Sequence, residues 1–242
     1  MFFDIHSHIL PEMDDGAENL NESLKILKLM QSQGITDVIA TPHFYPSEDN
    51  LEEFEINKIA AYKKLTEFSV KRNLPNVYLG CELLYFRGLC ISESLSEFCL
   101  NNSDFLLLEL TDDVIDDALF KEICELRDKF GIEPIIAHVE RYCGAKKYKK
   151  FIKFLVEKNI TVQINAGSVL IPPLERVIKK LFSSGLECVI ASDAHSTEMR
   201  PPRIAEALEY IAKTYGEEQK QKLIKNSETL YQKIITNGVL ND

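Results

Sequence analysis

Asp4-Ile5-His6-Ser7-His8 opens the chain just behind two phenylalanines, and its reading decides the fold. A strand points successive side chains to opposite faces. Read as a strand over 2–8, the segment puts His6 and His8 on one face and Ile5 and Ser7 on the other. Two imidazoles one pleat apart can bite a single metal ion. An isolated His-x-His is more often two ordinary histidines than a metal site. The weight therefore rests on how the other strands end.

They end alike. Asp37-Val-Ile-Ala-Thr41 reads as the second strand and runs into Pro42-His43. Asn76-Val-Tyr-Leu-Gly-Cys-Glu82 is the third, and Asp104-Phe-Leu-Leu-Leu-Glu-Leu110 the fourth, an unbroken apolar run of the buried parallel kind. Glu133-Pro-Ile-Ile-Ala-His138 is the fifth, followed by Val139-Glu140-Arg141, and Thr161-Val-Gln-Ile-Asn165 the sixth. The seventh, Glu187-Cys-Val-Ile-Ala191, closes with Ser192-Asp193-Ala194-His195. Helical spacing lies between them. Leu20, Leu24 and Leu27 share a face before the natural stop at Gly34. Helices are predicted over 51–72, 116–130, 146–158 and 173–184, with a short helical piece near 92–100. Pro201-Pro202 opens a last helical region with Ile204, Leu208 and Ile211 on one face, and 217–237 is a helical tail.

Strands alternating with helices mean βα units on a parallel sheet, hence an α/β fold. Seven such strands predict a barrel rather than an open sheet. Neither GxGxxG nor GxxxxGK[ST] occurs, which removes the usual nucleotide sites of open sheets. In a βα barrel the C-terminal strand ends carry the active site. All five histidines (His6, His8, His43, His138 and His195) lie at or just past such an end. Glu82, Glu109 and Asp193 stand at the same level, and Asp15, in the loop Pro11–Gly16, can reach in from above.

Imidazoles and carboxylates without thiolate suit Mn²⁺, Fe²⁺ or Zn²⁺. Nine such residues are too many for one ion and enough for two or three, with one carboxylate bridging. Four carboxylates against three divalent ions leave the pocket at roughly +2, inviting a small dianion such as a phosphate monoester. Arg141 and Arg200 are placed to clamp it, since a guanidinium fork matches phosphoryl oxygens.

The 242 residues suit a single domain over 1–242 with an ordinary core, 45% of the residues being hydrophobic. A net charge of −10 argues against an extended nucleic-acid surface. No apolar run approaches the roughly 20 residues of a membrane span. No basic region followed by an apolar stretch marks a signal peptide. Six cysteines without a CxxC pair read as free thiols of a cytoplasmic protein. Cys81 and Arg87 have the C-x5-R spacing of cysteine-dependent tyrosine phosphatases, but Glu-Leu-Leu-Tyr-Phe between them looks like a strand rather than a phosphate-cradling loop. That spacing is read as coincidence.

Asp4-Ile-His-Ser-His8, Asp14-Asp15-Gly16, Ala40-Thr-Pro-His43, Gly80-Cys-Glu82, Ile136-Ala-His138-Val-Glu-Arg141 and Ala191-Ser-Asp193-Ala-His195 with Arg200-Pro-Pro together resemble the PHP (polymerase and histidinol phosphatase) superfamily. Within it they look most like the bacterial metal-dependent protein-tyrosine phosphatases encoded with capsular and exopolysaccharide genes. The resemblance implies a distorted (β/α)7 TIM-like barrel and a trinuclear centre that often contains manganese. It implies one ion on His6, His8, Glu82 and Asp193. A second would sit on Glu82 with Glu109 and His138, and a third on Asp15, His43 and His195. Arg141 and Arg200 match the family's phosphate-binding arginines, although Met199 stands where a glycine is common. Asp193 or a metal-bound water would serve as any proton donor. The implied substrate is phosphotyrosine on a membrane-associated tyrosine autokinase. The competing activity within the superfamily is a small-molecule phosphatase of the histidinol-phosphate type.

Overall fold

A computed structural model describes residues 2–92 and 94–241. The chain begins with β1 (Phe2–Ser7). The expected second strand, 37–41, is β2 (Ile35–Ala40), and beyond it an unexpected two-residue strand follows, β3 (His43–Phe44). Proline has no N–H to give to a ladder, so the strand breaks at Thr41-Pro42. The third is two pieces, β4 (Asn76–Leu79) and β5 (Glu82–Leu84), broken at Gly80-Cys81. Gly80 is required there, because a Cβ would stand 2.6 Å from Leu100 Cδ2 and 3.0 Å from Ile39 Cγ2. Hydrogen bonds carry the ladder across the gap, Gly80 N–H to Ala40 O at 2.9 Å and Glu82 N–H to Pro42 O at 3.1 Å. Then follow β6 (Phe105–Glu109), β7 (Glu133–Ile136), β8 (Thr161–Asn165) and β9 (Cys188–Ala191).

Every pairing is parallel, in two sheets ordered β1-β2-β4 and β3-β5-β6-β7-β8-β9. The two breaks shift the chain from one sheet to the other, which is the distortion of the barrel. The exits of the first and last strands meet. His8 N–H donates to Ala194 O at 2.8 Å and Asp193 N–H to His6 O at 2.9 Å, with a parallel bridge between Ser7 and Ala194.

The helices are α1 (Leu20–Ser32), α2 (Leu51–Lys71), α3 (Asp117–Phe130), α4 (Tyr148–Glu157), α5 (Ala166–Val169), α6 (Glu175–Phe182), α7 (Ile204–Tyr215) and α8 (Glu217–Asn241). Asn19, Asn50 and Asp116 cap α1, α2 and α3 by accepting from first-turn N–H groups. The one-turn α5 was not expected. The piece near 92–100 belongs to a series of 3₁₀ turns, Leu89–Ile91, Leu95–Phe98 and Leu100–Asn102. Serines that bond the local backbone compete with an α-helix there, as Ser92 Oγ does by accepting from Ser94 N–H at 3.3 Å.

Two apolar layers result. The larger lies between strands and outer helices. The smaller gathers Ile5, Ile39, Leu107, Ile135 and Val189 from five strands onto Leu230 and Ile234 of α8. The last helix thus plugs the N-terminal mouth of the barrel. Tyr231 stacks on Phe3 with ring centroids 4.0 Å apart, Asn237 Nδ2 donates to Asp104 Oδ1 at 2.7 Å, and Asn226 Nδ2 donates to Cys188 O at 2.9 Å. The opposite mouth, where the strands end, stays open.

Candidate metal centre

The nine histidines and carboxylates singled out above meet at that open mouth, eight of them in three groups whose donor atoms lie within 4.8 Å of one another. The first is His6, His8, Glu82 and Asp193. His6 Nε2 and His8 Nε2 are 3.1 Å apart, 3.1 and 3.2 Å from Glu82 Oε2, and 3.5 and 3.4 Å from Asp193 Oδ1. The second is His8, Asp15, His43 and His195, with Asp15 Oδ1 3.2 Å from His195 Nε2 and 3.6 Å from His43 Nε2. The third is His43, Glu82 and Glu109. His138 joins it by distance, its Nε2 lying 2.9 Å from Glu82 Oε1 and 3.3 Å from Glu109 Oε1. The grouping differs from the resemblance in letting His8 and His43 each face two groups.

Glu82 Oε2, His43 Nδ1 and His195 Nε2 are buried without a hydrogen-bond partner. Buried polar atoms are ordinarily paired. Lone pairs that converge without protons between them are what a cation needs, so the donor set fits divalent ions of the nitrogen-and-oxygen class.

A further shell orients these donors. Asp14 was quoted above without a role. Its Oδ2 accepts from His8 Nδ1 at 2.7 Å and from His43 N–H at 3.0 Å, and its Oδ1 accepts from Gly16 N–H at 2.9 Å. Gly16 lets the loop close onto the strand, since a Cβ would stand 2.2 Å from His8 O. Gln163 and Asn165 of β8 were missed. Gln163 Oε1 lies 3.2 Å from His6 Nδ1 and accepts from His138 N–H at 2.7 Å. Gln163 Nε2 donates to Asn165 Oδ1 at 2.7 Å, and Asn165 Nδ2 donates to Asp193 Oδ2 at 2.5 Å. Tyr142 Oη accepts from Leu110 N–H at 2.9 Å and lies 3.1 Å from His138 Nδ1, where it can also accept the Nδ1 proton of an imidazole that turns its Nε2 lone pair to the carboxylates. His138 (φ 30°) and Asp193 (φ 52°) hold left-handed backbone, rare for residues with a Cβ, at the strand exits that aim these two side chains.

The electrostatics follow from crowding opposite charges away from water. Burial penalises every charge here, and the neighbours decide the outcome. Burial pulls His8 down, but Asp14, with Asp193 and Glu82, drives it well above its ordinary value. His138 rises to about 9, Glu109 and Glu82 outweighing the same penalty. Glu82 and Asp193 are held well below the carboxylate range, as His6 and His8 overcome burial. His195 is pushed down by burial and then by the charges of His8 and Arg200.

Arg141 Nη2 and Arg200 Nη2 each lie 2.7 Å from Asp193 Oδ2, with side chains 42% and 37% exposed. Two guanidinium groups therefore stand over the centre, half open to solvent. The exposed Met199 does not displace Arg200, because Ser196 Oγ accepts from Met199 N–H at 3.0 Å and from Arg200 N–H at 3.2 Å and fixes the turn. The C-x5-R pair takes no part. Cys81 is fully buried with its thiol pushed well up by burial, and Arg87 is paired with Asp116 at 2.6 Å.

The profile of the capsular polysaccharide synthesis family CpsB/CapC matches residues 2–232. Tyrosine-protein phosphatase CpsB of Streptococcus agalactiae is 29% identical over 243 residues, covering 94% of this chain and 97% of that protein. Tyrosine-protein phosphatase YwqE of Bacillus subtilis is 31% identical over 235 residues, covering 94% and 90%. A crystal structure from work on YwqE of Bacillus subtilis and CpsB of Streptococcus pneumoniae, described as metal-dependent tyrosine phosphatases, superposes with a TM-score of 0.84 at 29% identity, over 96% of this chain and 94% of that one. The histidinol phosphate phosphatase of Lactococcus lactis superposes with a TM-score of 0.55 at 14% identity, covering 88% of this chain and 93% of that one, a likeness of fold alone. The chain belongs to the CpsB/CapC family of capsular polysaccharide synthesis.

Proposed function

We propose that the protein is a metal-dependent protein-tyrosine phosphatase, acting in the cytoplasm on phosphotyrosine of a membrane-associated tyrosine autokinase that regulates capsular or exopolysaccharide synthesis. The observation that carries this is the pair of arginines meeting on one oxygen of Asp193 directly over three groups of metal-binding side chains. Three groups favour three ions; the mixed imidazole and carboxylate donors suit Mn²⁺, Fe²⁺ or Zn²⁺, and the resemblance to the family's phosphatases favours manganese among them. His6, His8, Asp15, His43, Glu82, Glu109, His138, Asp193 and His195 would hold them, Glu82 belonging to two of the groups.

Divalent ions bound there lower the pKa of water toward about 7 and offset phosphoryl charge. The chain's own part is placement. Arg141 and Arg200 bind the equatorial phosphoryl oxygens as charge spreads onto them in the transition state. Asp193 anchors both guanidinium groups from beneath and orients their forks. Held as an anion, it acts as ligand and anchor rather than as proton donor. The phenolate of tyrosine, with a pKa of about 10, leaves with little help from an acid. Gln163, Asn165, Asp14 and Tyr142 keep the imidazoles and Asp193 in register, so no reorganisation is needed at the moment of reaction.

A side-by-side assay of the manganese-loaded protein on a phosphotyrosine peptide and on histidinol phosphate tests the reading. Higher kcat/KM on the peptide is expected. A preference for histidinol phosphate would replace the proposal with the small-molecule activity.

A further inference from the structure

Beyond Arg141 the chain turns through a 3₁₀ segment, Val139–Gly144, and enters a stretch unlike the rest of this acidic protein, Ala145-Lys-Lys-Tyr-Lys-Lys150. A cleft of about 780 Å³ opens there between α4 and α6. Its floor is apolar, with Ile152, Val177 and Leu181 among its lining, and its rim carries Lys146, Lys147, Lys149 and Lys180. No aspartate or glutamate lines it, and none of these four lysines has an ion pair among the described residues. Lys150, beside them, is paired with Asp117. Four unpaired cations around one hollow, in a chain of net charge −10, are complementary to a polyanion.

The cleft also lies close along the chain to the candidate active site. Cys143 and Ala145 line it, two and four residues beyond Arg141. A 3₁₀ segment rises about 2 Å per residue, so the cleft begins within about 10 Å of the clamp. An extended peptide advances about 3.3 Å per residue. A polypeptide with its phosphotyrosine under Arg141 thus lays residues about three to five positions away across the lysines. An apolar floor sunk between two helices suits side chains of a peptide. A lipid surface would ask for apolar groups that protrude.

We propose that this lysine-rimmed cleft is a specificity site that binds acidic residues flanking the phosphotyrosine of a polypeptide substrate. The proposal rests on the phosphatase reading above, and the test separates the two. Turnover is measured on a small aryl phosphate, on a neutral phosphotyrosine peptide, and on the same peptide with glutamates about three to five positions from the phosphotyrosine. Exposed ion pairs are each weak, but several together give about 5- to 10-fold higher kcat/KM on the acidic peptide, shrinking as salt rises. Lys146→Glu with Lys180→Glu erases that preference and leaves aryl phosphate turnover unchanged, which also shows the variant is folded. Equal kcat/KM on both peptides in the unmodified protein, or a preference that survives the charge reversal, overturns the cleft. Lysine-dependent capture by phosphatidylglycerol vesicles without peptide discrimination would overturn it in favour of a membrane. Failure to hydrolyse any of the three substrates would instead sink the phosphatase reading. Anisotropy of a fluorescent acidic peptide, tight in the unmodified protein and weakened in the variant, then still decides the cleft.

Discussion

Glu82 is a fully buried carboxylate that faces four imidazoles, three around Oε2 and one on Oε1. An anion taken so far from water is tolerable only when surrounded by positive partners, whether protons or metal ions. The roles around it divide into holding ions and holding phosphate, and two substitutions separate them. Asp14→Asn weakens the bond that orients His8, so metal affinity falls about 10- to 100-fold while saturating manganese restores much of the turnover. Arg141→Ala keeps the full metal content and loses kcat/KM on a phosphotyrosine peptide by about 10²- to 10³-fold. Metal titration alongside steady-state kinetics reads both, and unchanged kcat/KM in Arg141→Ala would remove the clamp. The candidate donors were legible because histidine and carboxylate at strand ends are rare as a set. Asp14 was not, because sequence alone cannot say which of two adjacent aspartates turns inward and which turns back to a histidine. Gln163 and Asn165 had a readable signal that went unused: they are polar residues two apart, alternating with Val162 and Ile164, on one face of an apolar strand.

At the scale of elements, hydrophobic runs and caps located the strands and most helices within a few residues. The end at Thr41-Pro42 was read, but the short strand resuming at His43 and the break at Gly80-Cys81 escaped, the latter because apolar residues continue through it and the contact that forces it, Gly80 against Leu100, is long-range. Away from the site, α3 shows how one side chain serves two elements. Asp116 accepts from Ala118 and Leu119 N–H at the helix start and pairs with Arg87 beyond β5. The Arg87 guanidinium, with those N–H groups, holds the Asp116 carboxyl well below the usual range. A depressed folded-state value means the stabilisation is present above the ordinary pKa near 4 and is lost as pH falls through the folded value. Asp116→Asn keeps the cap and removes the charge. Urea denaturation should place the variant about 0.5 kcal/mol below the unmodified protein at pH 7, a figure kept small because the pair is solvent-exposed. The gap should close as the pH drops below about 4.

Over the whole molecule, α8 closes one mouth of the barrel and leaves the chemistry to the other, while the lysine-rich cleft flanks that open mouth. Apart from Cys143, which lines that cleft, the thiols stand outside this division. Cys81 is buried with its thiol raised well above the ordinary range, and burial pushes Cys99 and Cys188 up to about 12. Cys143 is exposed. Iodoacetamide at pH 8 should therefore modify Cys143 first and leave turnover of a small aryl phosphate intact. Inactivation in step with alkylation of Cys81 would restore the cysteine-nucleophile chemistry that the C-x5-R spacing suggested. Among the described residues no helix is long and apolar enough to cross a membrane.

The central claim is that the converging histidines and carboxylates hold metal ions on which phosphotyrosine hydrolysis depends. Its most direct test is metal analysis of protein purified without added salts, paired with phosphotyrosine-peptide turnover before chelation, after chelation and after manganese is restored. The account predicts bound divalent metal in excess of one ion per chain, loss of turnover with the metal, and recovery when manganese returns. Undiminished turnover by metal-free protein would contradict it.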